Sequence, residues 1–239
     1  MYKLPDYSFY QYGWNSTITQ IERYIDFHAL RQQTRGVILR AGQNLWRDRA
    51  FDVSWKNAKE AGLLRGSYWF YDSRANPKRQ AEKWAETLGS DPGEMELWCD
   101  FEERYGGAFS GWKHWCDFME ALKVLLPNKK LGVYTGYYYW NEFARGVDYF
   151  GQYPLWIAWY NTSPPKVPSV WNDWTYWQFT DDYPSTGWGA ESNEIDMNYF
   201  AGSEADFLAR YGVGESPTQN KSTILANFRG KIAEYRKVK

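Results

Sequence analysis

Eight short runs rich in β-branched and aromatic residues recur along the first 200 residues, and the earlier ones are separated by stretches of helical periodicity. That alternation is the mark of βα units building a parallel sheet. The runs fall at 3–9, 36–42 (GVILRAG), 65–71 (RGSYWFY), 95–102, 131–135 (LGVYT), 154–160 (PLWIAWY), 174–180 (WTYWQFT) and 194–199 (EIDMNY). Eight strands suffice to close a barrel, so the expected fold class is α/β, an irregular (β/α)8 TIM-like barrel. Helices are predicted over 50–61, 77–88 and 110–125, each with a Gly or Pro stop signal. Later connections, notably the Pro, Ser and Asn stretch 161–173, carry no helical pattern, so the second half of the barrel is expected to lack helices. Residues 1–202 are assigned to the barrel. Residues 203–239 are assigned to a linker and a basic C-terminal helix, in which Ile224, Leu225, Phe228, Ile232 and Tyr235 fall near helical spacing. That helix would pack on its own domain or offer a contact to a partner or a second copy.

One strand ends unusually. In LWCDFEE, residues 97–103, an apolar run finishes with Asp100 and Glu102, two positions apart and therefore on one face, with Cys99 and Phe101 on the other. Their Cβ atoms would stand roughly 6.6 Å apart. Strand C-termini carry the active site of a parallel barrel. Two carboxylates that close resist joint ionisation, so one is raised toward the range a general acid needs, a pairing suited to acid-assisted acetal cleavage. A bare D-x-E also arises by chance wherever a strand exits into solvent, as Glu103 and Arg104 would. Two more acids, Asp6 in PDYSFYQ and Asp196 in EIDMN, end other runs. The first and eighth strands of a closed barrel are neighbours, so four acids from three strand ends would converge on one mouth.

Charge is nearly balanced, 28 Lys and Arg against 29 Asp and Glu, with no basic stripe, which excludes a nucleic-acid module. No run of 18 apolar residues exists, so no membrane insertion is expected. The N-terminus lacks a basic region followed by an apolar one, so no secretory signal is read. The chain carries 15 Trp, 20 Tyr and 13 Phe, rings that fill cores and, in a cleft, stack on sugar faces. Cys99 and Cys116 are expected to be free thiols, and His28 and His114 stand apart. No metal cluster, P-loop or dinucleotide fingerprint occurs, and no cofactor is expected.

The ordered set of segments resembles glycoside hydrolase family 25, the N,O-diacetylmuramidase lysozymes of phage lysins, bacteria and some fungi. PDYSFYQ is similar to that family's D-x-S-x-Y-Q opening, YIDFHAL to its I-D-W segment, GVILRAGQ to its second strand, and RDRAFDVSWKNAKEAGLLRGSYWFY to its D-x-x-F through G-x-Y-x-F-Y run. LWCDFEE, LGVYTGYYYW, LWIAWY, YWQFT and EIDMNYF follow in family order, and the likeness spans roughly residues 3 to 200. The resemblance implies Glu102 as general acid, with Asp6, Asp100 and Asp196 completing an acidic floor. It implies that Tyr134, Trp159, Trp177, Gln178 and Tyr68 line the sugar groove, with Asp48 near it. The implied substrate and partner is bacterial peptidoglycan, cut at the β-1,4 bond between N-acetylmuramic acid and N-acetylglucosamine. Residues 12–24 are an insertion relative to the family pattern and would sit beside the cleft. Without a signal peptide, the resemblance fits a phage lysin held in the host cytoplasm until it reaches the wall, or a domain of an exported protein. The sugar cation is stabilised either by a carboxylate or by the substrate's own acetamido group with Asp100 holding its N–H, and adjacent D-x-E acids with acetamido sugars favour the second route. Two rivals stand beside this reading: a turnover-free wall-binding or phage structural module on the same barrel, and a chitinase-like barrel, whose longer acidic run is missing here.

Overall fold

The computed structural model describes residues 1–13 and 23–213. Among the described residues there are nine strands: β1 (Tyr2–Tyr7), β2 (Gly36–Gln43), β3 (Trp46–Arg47), β4 (Leu64–Phe70), β5 (Leu97–Asp100), β6 (Leu131–Gly136), β7 (Leu155–Ala158), β8 (Tyr176–Pro184) and β9 (Glu194–Phe200). The short β3 folds back on β2, and the other eight close into a barrel in the order β1, β2, β4, β5, β6, β7, β8, β9 and back to β1. Every neighbouring pair from β1 to β8 runs parallel. β9 is antiparallel to both β8 and β1, which corrects the all-parallel sheet read from the alternation of runs. The reason is length: residues 185–193 are too few for a crossover, which takes about a dozen, so the chain can only return as a hairpin.

Helices α1 (Phe27–Gln33), α2 (Phe51–Glu60), α3 (Pro77–Leu88), α4 (Trp112–Leu125) and α5 (Tyr137–Phe143) lie between the earlier strands, and none is found from β7 to β9. The bounds of α3 match those predicted. Asn76 accepts the amides of Lys78 and Arg79, Pro77 opens the first turn, and Gly89 ends it at φ 56°. Met1–Ala201 form one compact unit, and Gly202 begins a second that contains α6 (Glu204–Arg210), capped by Ser203. Residues 14–22 of the insertion and the basic helix expected after 214 lie outside the described residues. Among the described residues no helix is long and apolar enough to cross a membrane.

Two layers of rings explain the aromatic composition. Between strands and helices, Trp69 stacks on Trp84 and Trp84 on Phe118, while Phe101 lies flat on Trp115 at 4.7 Å. Inside the barrel, Trp98 meets Trp156 and Tyr176 edge to face, at 5.7 and 5.4 Å. A Cβ added at Gly132 would lie 2.4 Å from the Trp98 ring, so the indole occupies the space of the missing side chain. This aromatic plug makes the barrel a packed floor rather than a pore.

Candidate active site

Alternation along the strands builds the site. Side chains two apart share a face, so in strands running toward the mouth the later residue of each inward pair stands nearer to it. Ile38 lies below Arg40, Trp98 below Asp100, Gly132 below Tyr134, and Tyr176 below Gln178. Because β9 runs the other way, its order reverses, and Asp196 stands at the mouth with Asn198 beneath it. Asp196 is paired in register with Asp6 of β1, so the neighbouring acids expected from strand order do meet.

The strand expected over 95–102 ends at Asp100, and Glu102 lies beyond it. The Phe101 amide still donates to the Tyr134 carbonyl at 2.9 Å, which keeps the chain extended for one more step. The loop after it is fastened down. Glu103, which the sequence reading sends into solvent, is buried and accepts the amides of Ser73 (3.1 Å) and Tyr105 (2.6 Å). The Tyr139 hydroxyl donates to the Glu103 carbonyl, and the Gly107 amide donates to Ser73 Oγ at 2.9 Å. Glu102 is thus held by a rigid loop, although it stands outside the sheet.

Asp6, Tyr68, Asp100, Glu102, Tyr134, Trp156, Tyr160, Gln178, Asp181 and Asp196 line one cavity of about 230 Å³. Glu102 and Tyr160 also belong to a wider compartment of about 450 Å³ walled by Arg104, Tyr137, Tyr138 and Trp159. Tyr160 and Asp181 also belong to a third, of about 560 Å³, with Trp177, Phe179 and Tyr199. The three make a continuous groove with the acids at its centre.

Hydrogen bonds order the acids. Tyr134 and Tyr160 both donate to Gln178 Oε1, at 2.7 and 2.8 Å, and Gln178 Nε2 donates to Asp6 Oδ2 at 3.0 Å. Asn198 Nδ2 donates to the same Asp6 oxygen at 2.9 Å, and the Trp156 indole donates to Asn198 Oδ1 at 2.7 Å. Burial raises Asp6, against the pull of its Asn198 and Gln178 hydrogen bonds. Burial raises Asp196 well above the carboxylate range, and Asp6 beside it, hydrogen-bonded to it, raises it further. Asp100 is also held well above that range, by burial first and then by the Glu102 charge, with Arg40 opposing. Glu102 is pushed up to about 7: burial is the first cause, the Tyr134 hydroxyl beside it works against it only so far as its proton turns to the carboxylate, and the Asp6 charge adds to it. Glu102 stays open to the groove, so its removal from water is completed only when a ligand fills the cleft.

Asp48 is not among the residues that line these three compartments. It is buried in an ion pair with Arg40 Nε at 2.7 Å and accepts the amides of Phe9 and Ala50. Its part is to fix Arg40, whose guanidinium lies 4.4 Å over the Phe9 ring. Arg40 Nη2 and Asp100 Oδ1 are buried with no hydrogen-bond partner among the described residues. Tyr160, Asp181, Asn198, Trp156 and Arg40 are site residues that the sequence reading leaves out. Two carried a signal: Arg40 is a charge inside an otherwise buried strand, and Asn198 shares the face of Asp196.

A closed barrel with carboxyl groups packed at its mouth and an aromatic groove running through them is the architecture of a glycoside hydrolase. The chain belongs to glycosyl hydrolases family 25, whose sequence pattern matches residues 7–188. Lysozyme M1 of Streptomyces globisporus is 29% identical over 176 residues, covering 69% of this chain and 58% of that protein. The chain thus spans less than two thirds of that relative's length. Among solved structures, a bacterial lysozyme from Streptomyces coelicolor superposes with a TM-score of 0.71 at 23% identity, covering 88% of this chain and 96% of that one. A muramidase from Trichobolus zukalii superposes with a TM-score of 0.68 at 25% identity, covering 88% and 99%.

Proposed function

We propose that the chain is a muramidase that hydrolyses the β-1,4 bond between N-acetylmuramic acid and N-acetylglucosamine in bacterial peptidoglycan, with Glu102 as general acid. The observation that carries this reading is the position of Glu102. It lines both the acid cavity and the open compartment beside it, and it is pushed up to about 7, where a carboxyl can hold a proton and still give it up. The proton passes from Glu102 to the glycosidic oxygen, the C–O bond breaks, and positive charge gathers at the anomeric carbon.

The environment of the other acids supports acetamido assistance over direct attack. Burial disfavours the free carboxylate that direct attack needs, and burial raises Asp6, Asp100 and Asp196 alike. The acetamido oxygen of the substrate then closes on the anomeric carbon, and Asp100, whose Oδ1 lacks a partner, accepts the acetamido N–H. Water later opens that ring, with Glu102 taking a proton from it. All four acids gathered at one mouth argue against the turnover-free wall-binding rival.

The test is mass spectrometry of soluble products from purified peptidoglycan, with the native chain and with Glu102→Gln. Muropeptides ending in reducing muramic acid are expected from the native chain alone. Comparable release by Glu102→Gln would overturn the assignment of the acid, and reducing-end glucosamine would overturn the bond.

A further inference from the structure

Resting on Glu102 as the acid, we propose that Gln178 is a positioning residue: it takes up the hydroxyl protons of Tyr134 and Tyr160, so that Glu102 meets their lone pairs and keeps its own proton.

One group in the network can only donate. An indole nitrogen has a proton and no lone pair to offer, so Trp156 Nε1 fixes Asn198 with its oxygen toward Trp156. The Asn198 amide nitrogen is thereby turned to Asp6 Oδ2, which must accept. Gln178 meets the same oxygen, so it too presents nitrogen to Asp6, and its Oε1 is left to face the tyrosines. An amide oxygen only accepts, hence Tyr134 and Tyr160 both donate to it. Each tyrosine has a single proton, and burial keeps both phenols far above their usual range, so neither gives it up. The direction set at Trp156 therefore passes through Asn198, Asp6 and Gln178 to the tyrosines at the rim of the groove. There a carboxylate at Glu102 would meet tyrosine oxygens whose protons point to Gln178, while a protonated Glu102 finds an acceptor.

The other groups around Glu102 are Asp100 at the end of β5, Asp6 on β1, Asp196 on β9, Asp181 on β8, Tyr139 on α5 and Arg104 in its own loop. The acids favour its protonated form and Arg104 opposes it. None of them depends on which way the Gln178 amide points, so the Gln178 effect can be isolated.

The measurement is the titration midpoint of Glu102, by NMR on protein with glutamate labelled by carbon-13 at its side-chain carboxyl. The signal absent from Glu102→Gln identifies the residue. In Gln178→Met the Tyr134 proton is free to turn to Glu102, and the midpoint is expected to fall by about one pH unit. In Gln178→Met/Tyr134→Phe/Tyr160→Phe it is expected to return, because both donors are gone. An unchanged midpoint in the first variant, or a lowered one that persists in the second, would overturn the proposal. The persistent case would mean that lost contact with Asp6 was the cause. Tyr134→Phe alone removes one hydroxyl and gives a test that does not need Gln178→Met to fold. It is expected to leave the midpoint in place, and a rise of about one unit would show that Tyr134 had been donating to Glu102 all along. The titration stands without any turnover, so absence of peptidoglycan cleavage would sink the muramidase reading and leave this result to be judged separately.

Discussion

At the scale of single residues, the acids carry opposing consequences for activity and stability. A general acid works only while protonated, so cleavage is expected to fall as pH rises past about 7, the value to which Glu102 is pushed. A rate profile of kcat/KM with no decline on that side would remove Glu102 from the role. Stability follows from linkage. Asp100 and Asp196 hold protons in the folded state at pH values where the unfolded chain, near 4, has lost them. Their contribution is therefore fully present below that unfolded value and is lost as pH rises through the folded one. Asp100→Asn keeps the shape and removes the titration. By calorimetry it is expected to melt above the native chain, with the gap wider at pH 8 than at pH 4, and an equal gap at both would show that the effect is packing alone. The acids were legible in the sequence because strand alternation places i and i+2 on one face. Tyr160 was not, since it lies past the end of β7, and Asp181 was not, since β8 runs on beyond the 180 at which the sequence run stops. Asp48 shows the converse: a segment match put it near the groove, whereas its place is set by the ion pair with Arg40.

At the scale of elements, α3 was readable to the residue because its caps are local chemistry, an Asx cap, a Pro and a Gly. The direction of β9 was not read because alternation of runs reports that strands exist and says nothing of their sense. The decisive quantity was the length of the connection before it, and that too was in the sequence. The end of β5 was misplaced for a related reason: Phe101 and Glu102 keep strand geometry past the last ladder pair, fastened instead by the Glu103 loop. β6 gives a sharp test of the plugged floor. Gly132→Ala puts a methyl into the Trp98 ring and is expected to cost about 1 to 3 kcal/mol in denaturant unfolding, as overpacked cores do. A neutral outcome would mean that the indole moves aside freely and that the floor beneath Asp100 is not rigid.

At the scale of the whole molecule, the barrel is closed by its two ends. Asn198 donates to Asp6 across 192 positions of sequence, and β9 pairs with β1 from Tyr2 opposite Phe200 to Asp6 opposite Asp196. The same late strand brings two members of the acid network, so closure of the sheet and completion of the site are one event. Contacts that far apart carry a large loop-closure entropy and form late. Without β9, β1 and β8 would each present a free edge, and Asp6 would lose both its acid neighbour and an amide donor. A chain ended after Asn193 is therefore expected to keep much of its helical circular dichroism from α1 to α5, yet lose its cooperative thermal transition and bind the dye ANS. A chain ended after Ala201, at the close of the first compact unit, is expected to keep a cooperative transition. If the shorter chain also melts cooperatively, β1 to β8 form a stable open sheet, and β9 serves the acids at the mouth without being needed for the fold.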